Sequence, residues 1–224
     1  MKVKKQLLKA IIFDLDGTLI DSDKDIEKII NFIRKNDLNQ KKIPINKIAN
    51  YTSIGGDDLI KKTISKNNYK FYLQTFRKLY LKLKIRKKLI FPGVINLLKF
   101  LKSKNIKIYI CTNKPKSLTS KIINNTRLKE FIDIYFCSDE YKVKKPNGNF
   151  FLKIQKKIKI NKNQVIFIGD SVIDYNFCKK STLKFYLFKN KRIKYPNKIY
   201  FKLLKLNRIL FDYTNTNKLK RIIL

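Results

Sequence analysis

The length, composition and charge of the chain exclude several classes of protein. Its 224 residues, 44% of them hydrophobic, suffice for one or two folded domains, and no apolar run reaches the ~18 residues of a membrane-spanning helix. Histidine is absent, which excludes catalytic triads that depend on it and argues against a typical zinc site. The net charge of +37 produces a positive field that attracts anionic substrates.

The first predicted element is a short strand that leads directly into acidic residues. Ala10–Phe13 is apolar and is followed by Asp14 and Asp16, which ideal strand alternation would place on one face. Short apolar runs of this kind are typical of buried parallel strands. Several carboxylates without histidine favour a hard divalent cation, most plausibly Mg²⁺.

The pattern of apolar residues between positions 21 and 91 predicts a helical insertion. Few strand signals occur there, and two apolar stripes with helical spacing stand out: Ile26, Ile29, Ile30 and Ile33, then Tyr72, Phe76, Leu79 and Leu83. We therefore expect a core domain of residues 1–20 and 92–224, with a helical cap domain of residues 21–91 over the site.

The remaining chain alternates helices and strands. A helical stripe of Val94, Leu97, Leu98 and Leu101 ends near Asn105, a candidate left-handed cap. Strands are predicted at residues 106–111 and 164–168, with further candidates at 185–188 and 208–211, a helix around residues 151–158 and a closing helix at 217–224. This order predicts an α/β fold, a doubly wound, Rossmann-like parallel sheet that binds ligands at its C-terminal strand ends.

Polar clusters follow the second and third predicted strands. They are Thr112-Asn113-Lys114-Pro115 and Gly169-Asp170-Ser171, with Asp174 shortly after. A carboxylate can attack phosphorus and form an aspartyl-phosphate, and a second carboxyl can protonate the leaving oxygen and then activate water. Thr112, a lysine and backbone N–H groups can supply donors to the phosphoryl oxygens.

Four motifs in order resemble those of the haloacid-dehalogenase superfamily. Residues 14–19 are similar to its first motif, Thr112-Asn113 to its second, Lys145-Pro146 to its third, and residues 169–171 with Asp174 to its fourth. The resemblance covers nearly the whole chain, and the insertion resembles the small helical cap of this superfamily.

The resemblance implies a role for each matched residue. Asp14 would be the nucleophile and a metal ligand, Asp16 the general acid and base whose backbone carbonyl also binds the metal, and Asp170 a further ligand of Mg²⁺. Thr112 would bind the phosphoryl group, and Lys145 would neutralise it and orient Asp14. Asp174 would contact the metal through water or hold Lys145. Only Pro146 distinguishes Lys145 from its neighbours Lys142 and Lys144.

A finer resemblance is to phosphoglycolate phosphatases. It rests on residues 16–22, residues 112–115, Phe91-Pro92-Gly93 and a glycine loop at Ile54-Gly55-Gly56. The resemblance implies 2-phosphoglycolate as the substrate, with candidate contacts at Thr18, Asn113, Lys114, Gly55 and Gly56. Two positions depart from the pattern: Gly148 replaces a proline, and Ser181-Thr182 replaces an alanine-glycine pair.

Other functions stay open at this point. A related enzyme could act on a phosphosugar, a nucleotide or pyrophosphate, as a phosphatase or a mutase. Dehalogenation is disfavoured, because a departing halide does not need a proton donor such as Asp16. The charge also suggests a nucleic-acid-binding protein with a non-functional site, but the lysines are dispersed and no binding motif is recognised. We expect no specific nucleic acid, no membrane, and a monomer or homodimer. The three cysteines and the absence of a signal-peptide pattern favour a cytoplasmic location.

Overall fold

The fold is that of a computed structural model, which describes residues 7–190, 196–206, 208–210 and 213–214. These residues form six strands: Ala10–Phe13 (β1), Lys107–Thr112 (β2), Ile134–Cys137 (β3), Val165–Gly169 (β4), Lys184–Phe188 (β5) and Ile209–Leu210 (β6). They form ten α-helices: Asp23–Leu38 (α1), Ile45–Ala49 (α2), Gly56–Thr63 (α3), Tyr69–Lys82 (α4), Val94–Ser103 (α5), Lys116–Asn124 (α6), Ser138–Tyr141 (α7), Asn149–Ile158 (α8), Val172–Ser181 (α9) and Asn197–Lys205 (α10). No described helix has the length and apolarity needed to cross a bilayer.

The strands form one parallel sheet in the order β3-β2-β1-β4-β5-β6. Strand β1 lies in the middle, with β2 on one side and β4 on the other, so the strand order reverses at β1. Alternate side chains of these strands enter two apolar clusters, one on each face of the sheet. The sheet is therefore the predicted doubly wound α/β arrangement, and its reversal point is where such sheets bind ligands.

The predicted strands agree with the structure to within a residue or two. Strands β2 and β4 each begin and end one residue later than predicted, and β1 is unchanged. The predicted strand at 208–211 is observed only as β6, and the predicted helix at 217–224 lies outside the described residues. Strand β3 and helices α6, α7, α9 and α10 have no counterpart among the predicted elements, and the four residues of β3 are too few to show a periodic pattern.

Helices α1 to α4 make up the insertion. Ile26, Ile29, Ile30 and Ile33 of α1 are buried as predicted, whereas Leu83 follows α4 as its C-cap. The two connections to the sheet run side by side, because the Asp21 N–H donates to the Leu89 carbonyl at 2.8 Å and the Phe91 N–H to the Leu19 carbonyl at 3.0 Å. The predicted domain boundaries fall at these paired connections, and the division into two domains stays a prediction.

Lys121 of α6 joins the sheet side of the molecule to the end of α4. Its ammonium donates to the carbonyls of Tyr80 at 3.2 Å, Leu83 at 2.5 Å and Leu81. An ammonium has three donors, so the lysine can bond to all three carbonyls at the end of the helix, although the Tyr80 carbonyl also accepts from the Leu83 N–H at 3.2 Å. The positive charge of Lys121 also interacts favourably with the negative end of the helix dipole.

Thr182, one of the two departures from the phosphatase pattern, occupies a backbone conformation that favours glycine. It follows α9 at φ +54°, a strained angle for a β-branched residue. We expect Thr182→Gly to raise the free energy of unfolding by about 1 kcal/mol, because relief of the strain outweighs the lost bond from Lys162 at the surface.

Denaturant unfolding checks the prediction for Thr182. Thr182→Ala is the matched control, because alanine also loses the hydroxyl but keeps the Cβ that causes the strain. A gain of equal size in both variants would contradict the explanation.

Candidate active site

The carboxyl ends of the three central strands bring the predicted polar residues together. Asp14 follows β1, Thr112 is the last residue of β2, and Asp170 follows β4. Helix α9 begins just beyond β4 with a capping box, in which the side chains of Ser171 and Asp174 bond to each other's backbone N–H groups. The turn and the cap place Asp174 beside Asp14 and Asp170.

Three buried carboxylates and one lysine form the centre of the site. Oxygen atoms of Asp14, Asp170 and Asp174 lie within 4.8 Å of one another. The ammonium of Lys145 lies 2.7 Å from Asp14 Oδ1 and 2.6 Å from Asp174 Oδ1. All four side chains are nearly inaccessible to solvent. The predicted convergence of Asp14, Asp170, Asp174 and Lys145 is therefore observed.

The charges of this cluster are only partly balanced. Burial raises the pKa of Asp14 to about 7 against the opposing effect of Lys145, and burial together with Asp14 and Asp174 raises the pKa of Asp170. Burial alone would lower the pKa of Lys145, but the charges of Asp14 and Asp174 outweigh it and raise that pKa. One cation for three carboxylates leaves an excess of negative charge in a buried place.

The donor set suits a hard divalent cation. All the available ligands are oxygens, as Mg²⁺ prefers, and a divalent cation would offset the negative charge that remains after Lys145 is counted. Asp14 and Asp170 are the better placed ligands, since Asp174 is committed to the Lys145 ammonium and to the cap of α9, whereas Asp170 accepts from the neutral groups of Thr18 and Asn190. The residues present therefore fit a magnesium ion.

Gly17 makes the tight turn between Asp16 and Thr18. Its φ is +82°, and a Cβ added there would lie 2.1 Å from Asp170 Oδ2. We expect Gly17→Ala to lower phosphate release by at least about 100-fold, because Asp170 would have to move by a distance that such sites do not tolerate. Steady-state kinetics with the substrates named below is the measurement.

Gly148→Ala is a matched control for the Gly17 variant. Gly148 has an ordinary φ of −62°, and an added Cβ would come no closer than 3.3 Å to Lys180. This control should retain nearly full activity. Wild-type rates for Gly17→Ala would mean that the position of Asp170 is not needed.

Asp16 is held apart from the carboxylate cluster. Its two oxygens accept from the ammonium of Lys114 at 3.0 and 3.1 Å, and Oδ1 also accepts from the hydroxyl of Ser22. The Lys114 ammonium also lies 4.6 Å from the ring centroid of Tyr80 on α4. Asp16 thus faces the helical insertion. Among the described residues, the carboxylate oxygens close enough to share a metal ion are those of Asp14, Asp170 and Asp174, and the side chain of Asp16 is not among them.

Asn113 positions Lys145 through the backbone. Its carbonyl oxygen accepts from the Lys145 N–H at 2.8 Å, and its amide donates to the Lys145 carbonyl at 3.1 Å and to the Ser53 carbonyl at 3.3 Å. Two hydrogen bonds to one residue fix its position on the neighbouring loop. Asn113 was predicted as a substrate contact, and its observed contacts point to a positioning role.

The other predicted residues divide between the cluster and the insertion. The Thr18 hydroxyl donates to Asp170 Oδ1 at 3.3 Å, and the Thr112 hydroxyl accepts from the Lys114 N–H at 3.1 Å. Gly55 and Gly56 begin α3, where Gly55 has φ +106°. Both glycines line a small cavity next to Asp16 and Lys114.

This cavity lies between the insertion and the strand ends and has a volume of about 40 Å³. Its polar lining comes from Asp16, Asn113 and Lys114 on one side and Thr52 and Arg77 on the other. A larger surface groove of about 770 Å³ lies along residues 85–96 and 124–130, but none of the four central residues lines it. The small cavity reaches Asp16 and Lys114, and a more open cavity of about 300 Å³ adjoins it at Gly55, Gly56 and Arg77.

Asn190 is a site residue that the motifs do not include. Its amide donates to the Gly17 carbonyl and to Asp170 Oδ2, both at 2.9 Å, and so connects the turn after β1 to the acid after β4. Asn190 follows β5 by two residues. The same rule that identified the other strand ends could have indicated it.

Comparisons with known proteins identify the family of the chain. The sequence model of the haloacid dehalogenase-like hydrolase family matches residues 11–188. A phosphoglycolate phosphatase of Psychrobacter arcticus is 30% identical over 181 residues, covering 76% of this chain and 77% of the relative. One from Aquifex aeolicus is 29% identical over 177 residues, covering 79% of this chain and 83% of the relative.

Solved structures share the fold. A predicted phosphoglycolate phosphatase from Haemophilus somnus 129pt has a TM-score of 0.80 at 22% identity, covering 95% of this chain and 98% of that one. CbbY from Rhodobacter sphaeroides in complex with phosphate has a TM-score of 0.70 at 15% identity, covering 93% and 96%. The family match spans most of the chain and includes the residues of the central cluster, so this chain belongs to the haloacid dehalogenase-like hydrolase family.

Proposed function

We propose that this protein is a magnesium-dependent phosphatase that hydrolyses a small phosphomonoester, with 2-phosphoglycolate as the leading substrate. The observation that carries the proposal is the ammonium of Lys145 between Asp14 and Asp174, beside Asp170 at the sheet's reversal point. A carboxylate oriented in this way, next to a cation-binding oxygen set, is suited to accept a phosphoryl group. The phosphatase names of the curated relatives support the proposed reaction.

The reaction has two steps in this proposal. A carboxylate oxygen of Asp14 attacks phosphorus, the bond from phosphorus to the leaving oxygen breaks, and Asp16 donates a proton to that oxygen. A water molecule then attacks the aspartyl-phosphate, Asp16 takes its proton, and the bond from phosphorus to Asp14 breaks to release phosphate. The Lys114 ammonium contacts both oxygens of Asp16, at 3.0 and 3.1 Å, and so holds in place the group that gives and takes the proton.

The remaining residues stabilise charge or hold others in place. Lys145 orients Asp14 and neutralises the phosphoryl oxygens, to which the Thr112 hydroxyl donates. Mg²⁺ held by Asp14, Asp170 and the backbone carbonyl of Asp16 would supply further positive charge there. We assign Asp174 to holding Lys145, since its Oδ1 accepts from that ammonium at 2.6 Å and its Oδ2 belongs to the capping box of α9.

The helical insertion is proposed to act as a cap over the leaving group. It contributes Gly55, Gly56 and Arg77 to the cavity beside Asp16, so closure would exclude water during phosphoryl transfer. A cavity of about 40 Å³ holds only about three or four water molecules, since each needs roughly 10–15 Å³ of such volume. A leaving group of a few atoms would fit within this inner cavity, whereas a sugar or a nucleoside would have to extend into the adjoining cavity of about 300 Å³.

The experiment is a phosphate-release assay with Mg²⁺ on 2-phosphoglycolate, glucose 6-phosphate, AMP and pyrophosphate. We expect the highest kcat/KM with 2-phosphoglycolate, and loss of turnover when the metal is removed with EDTA. The lack of turnover with every ester would end the phosphatase proposal. A preference for another ester would keep the reaction and replace the substrate.

A further inference from the structure

Among the described residues, no partner is found for one cation of the helical insertion. Arg77 lies on α4, and its Nε atom is buried without a hydrogen-bond partner among the described residues. The guanidinium also makes no ion pair with any described carboxylate. Burying such a donor without a partner is costly, and arginine can form bidentate bonds to planar anions. The arrangement is therefore that of a donor left free for a ligand.

Arg77 lines the small cavity beside the proposed acid and base. Asp16, Lys114 and Arg77 are the charged residues among its lining. Lys114 is already paired with both oxygens of Asp16, so these two charges offset each other. Arg77 remains as the unbalanced charge at the place where the leaving group would lie.

The chemistry of the cavity indicates what this charge would bind. The guanidinium fork matches the two oxygens of a carboxylate, and the inner cavity beside Asp16, at about 40 Å³, has room for a group of a few atoms. The phosphoryl group itself would lie at the Asp14 and Lys145 cluster, which does not line this cavity. A second anionic group of the same substrate, on the leaving-group side of the bond that breaks, is thus expected in this cavity.

We propose that Arg77 binds a carboxylate on the leaving group and so makes the enzyme specific for short phosphorylated hydroxy acids. The proposal rests on the phosphatase function proposed above and names the residue that selects its substrate class. It assigns Arg77 to specificity and not to the phosphoryl transfer.

The test compares two substrates of nearly equal size, 2-phosphoglycolate and 2-hydroxyethyl phosphate, in which CH₂OH replaces the carboxylate. With Arg77→Gln we expect kcat/KM to fall by about 10- to 100-fold for 2-phosphoglycolate and by less than about threefold for 2-hydroxyethyl phosphate, whose leaving group is uncharged. For Arg77→Lys, kcat/KM should fall by a smaller factor, and only with 2-phosphoglycolate, because lysine keeps the positive charge but lacks the two-pronged guanidinium. Arg127→Gln is the matched control, since Arg127 is exposed and pairs only with Glu130 among the described residues.

A binding measurement keeps the test independent of turnover. In the Asp14→Asn background, calorimetry should show that Arg77→Gln weakens binding of 2-phosphoglycolate but not of inorganic phosphate. Equal losses for both esters, or no loss for either, would overturn the assignment of Arg77. A wild-type enzyme that hydrolyses only 2-hydroxyethyl phosphate would also overturn the assignment of Arg77 while leaving the phosphatase function standing. No turnover of either ester or of the wider panel would remove both proposals.

Discussion

Asp14→Asn is expected to lower kcat by at least about 10⁴-fold while the protein stays folded, because the amide cannot replace the carboxylate as a nucleophile. The substitution changes neither the size nor the shape of the side chain. It also removes one of three buried negative charges around Lys145. The loss should therefore appear in kcat and not in expression or cooperative unfolding.

The same variant should change how stability depends on pH when metal is absent. Burial raises the pKa of Asp14 from 3.8 to about 7, so the folded state holds a proton that the unfolded state releases. The contribution of this group to stability is therefore greatest near pH 4 and falls as pH rises to about 7. In EDTA, the melting temperature of the wild type should fall more steeply over this range than that of Asp14→Asn.

Asp37→Asn provides the control for both measurements, because Asp37 is an exposed acid on α1. It should show wild-type turnover and a wild-type pH slope. Turnover in Asp14→Asn within tenfold of the wild type would overturn the nucleophile assignment. Identical slopes for wild type and Asp14→Asn would show that burial does not perturb this carboxyl as described.

Lys145→Gln is expected to lower kcat/KM by at least about 10³-fold and to destabilise the fold by about 3–5 kcal/mol without metal. Removing the ammonium leaves Asp14 and Asp174 buried without their cation. Mg²⁺ should restore part of the stability, because binding to the folded state alone shifts the unfolding equilibrium. Urea unfolding with and without Mg²⁺, together with phosphate release, measures these effects.

The two neighbouring lysines are the matched controls for Lys145. Lys144 pairs with Asp58 at 3.3 Å on the surface, where such pairs contribute about 0–1 kcal/mol, and Lys142 caps α7. Lys144→Gln and Lys142→Gln should therefore leave both activity and stability nearly unchanged. If either variant matched Lys145→Gln, the third motif would be assigned to the wrong residue.

The sequence predicted the strand ends well because the relevant signals are local. A short apolar run followed by acids marks β1, and the same pattern marks β4, so the meeting of Asp14 and Asp170 follows from parallel pairing alone. Lys145 was harder to predict, since three lysines lie within four residues and only Pro146 separates them. The structure distinguishes them through Asn113, which is 32 residues away.

The partners of Asp16 could not be predicted for a related reason. Its contact with Lys114 spans 98 residues, and the nearby ring of Tyr80 belongs to the insertion. Strand alternation suggested one face for Asp14 and Asp16, but the turn at Gly17 begins there and Asp16 forms only an isolated bridge with Ile20. The periodic rule ends with β1, which is why the separate surroundings of the two acids appear only in three dimensions.

The three hydrogen bonds of Lys121 have a consequence for how the insertion can move. They hold the last turn of α4 against α6, close to where the chain returns to the sheet at the Leu89 and Phe91 crossing. An ammonium can follow a small change in carbonyl direction but not a displacement of several ångströms. We therefore expect the insertion to rotate about the C-terminal end of α4. The glycine turn before α3 would then be displaced much more than the last turn of α4.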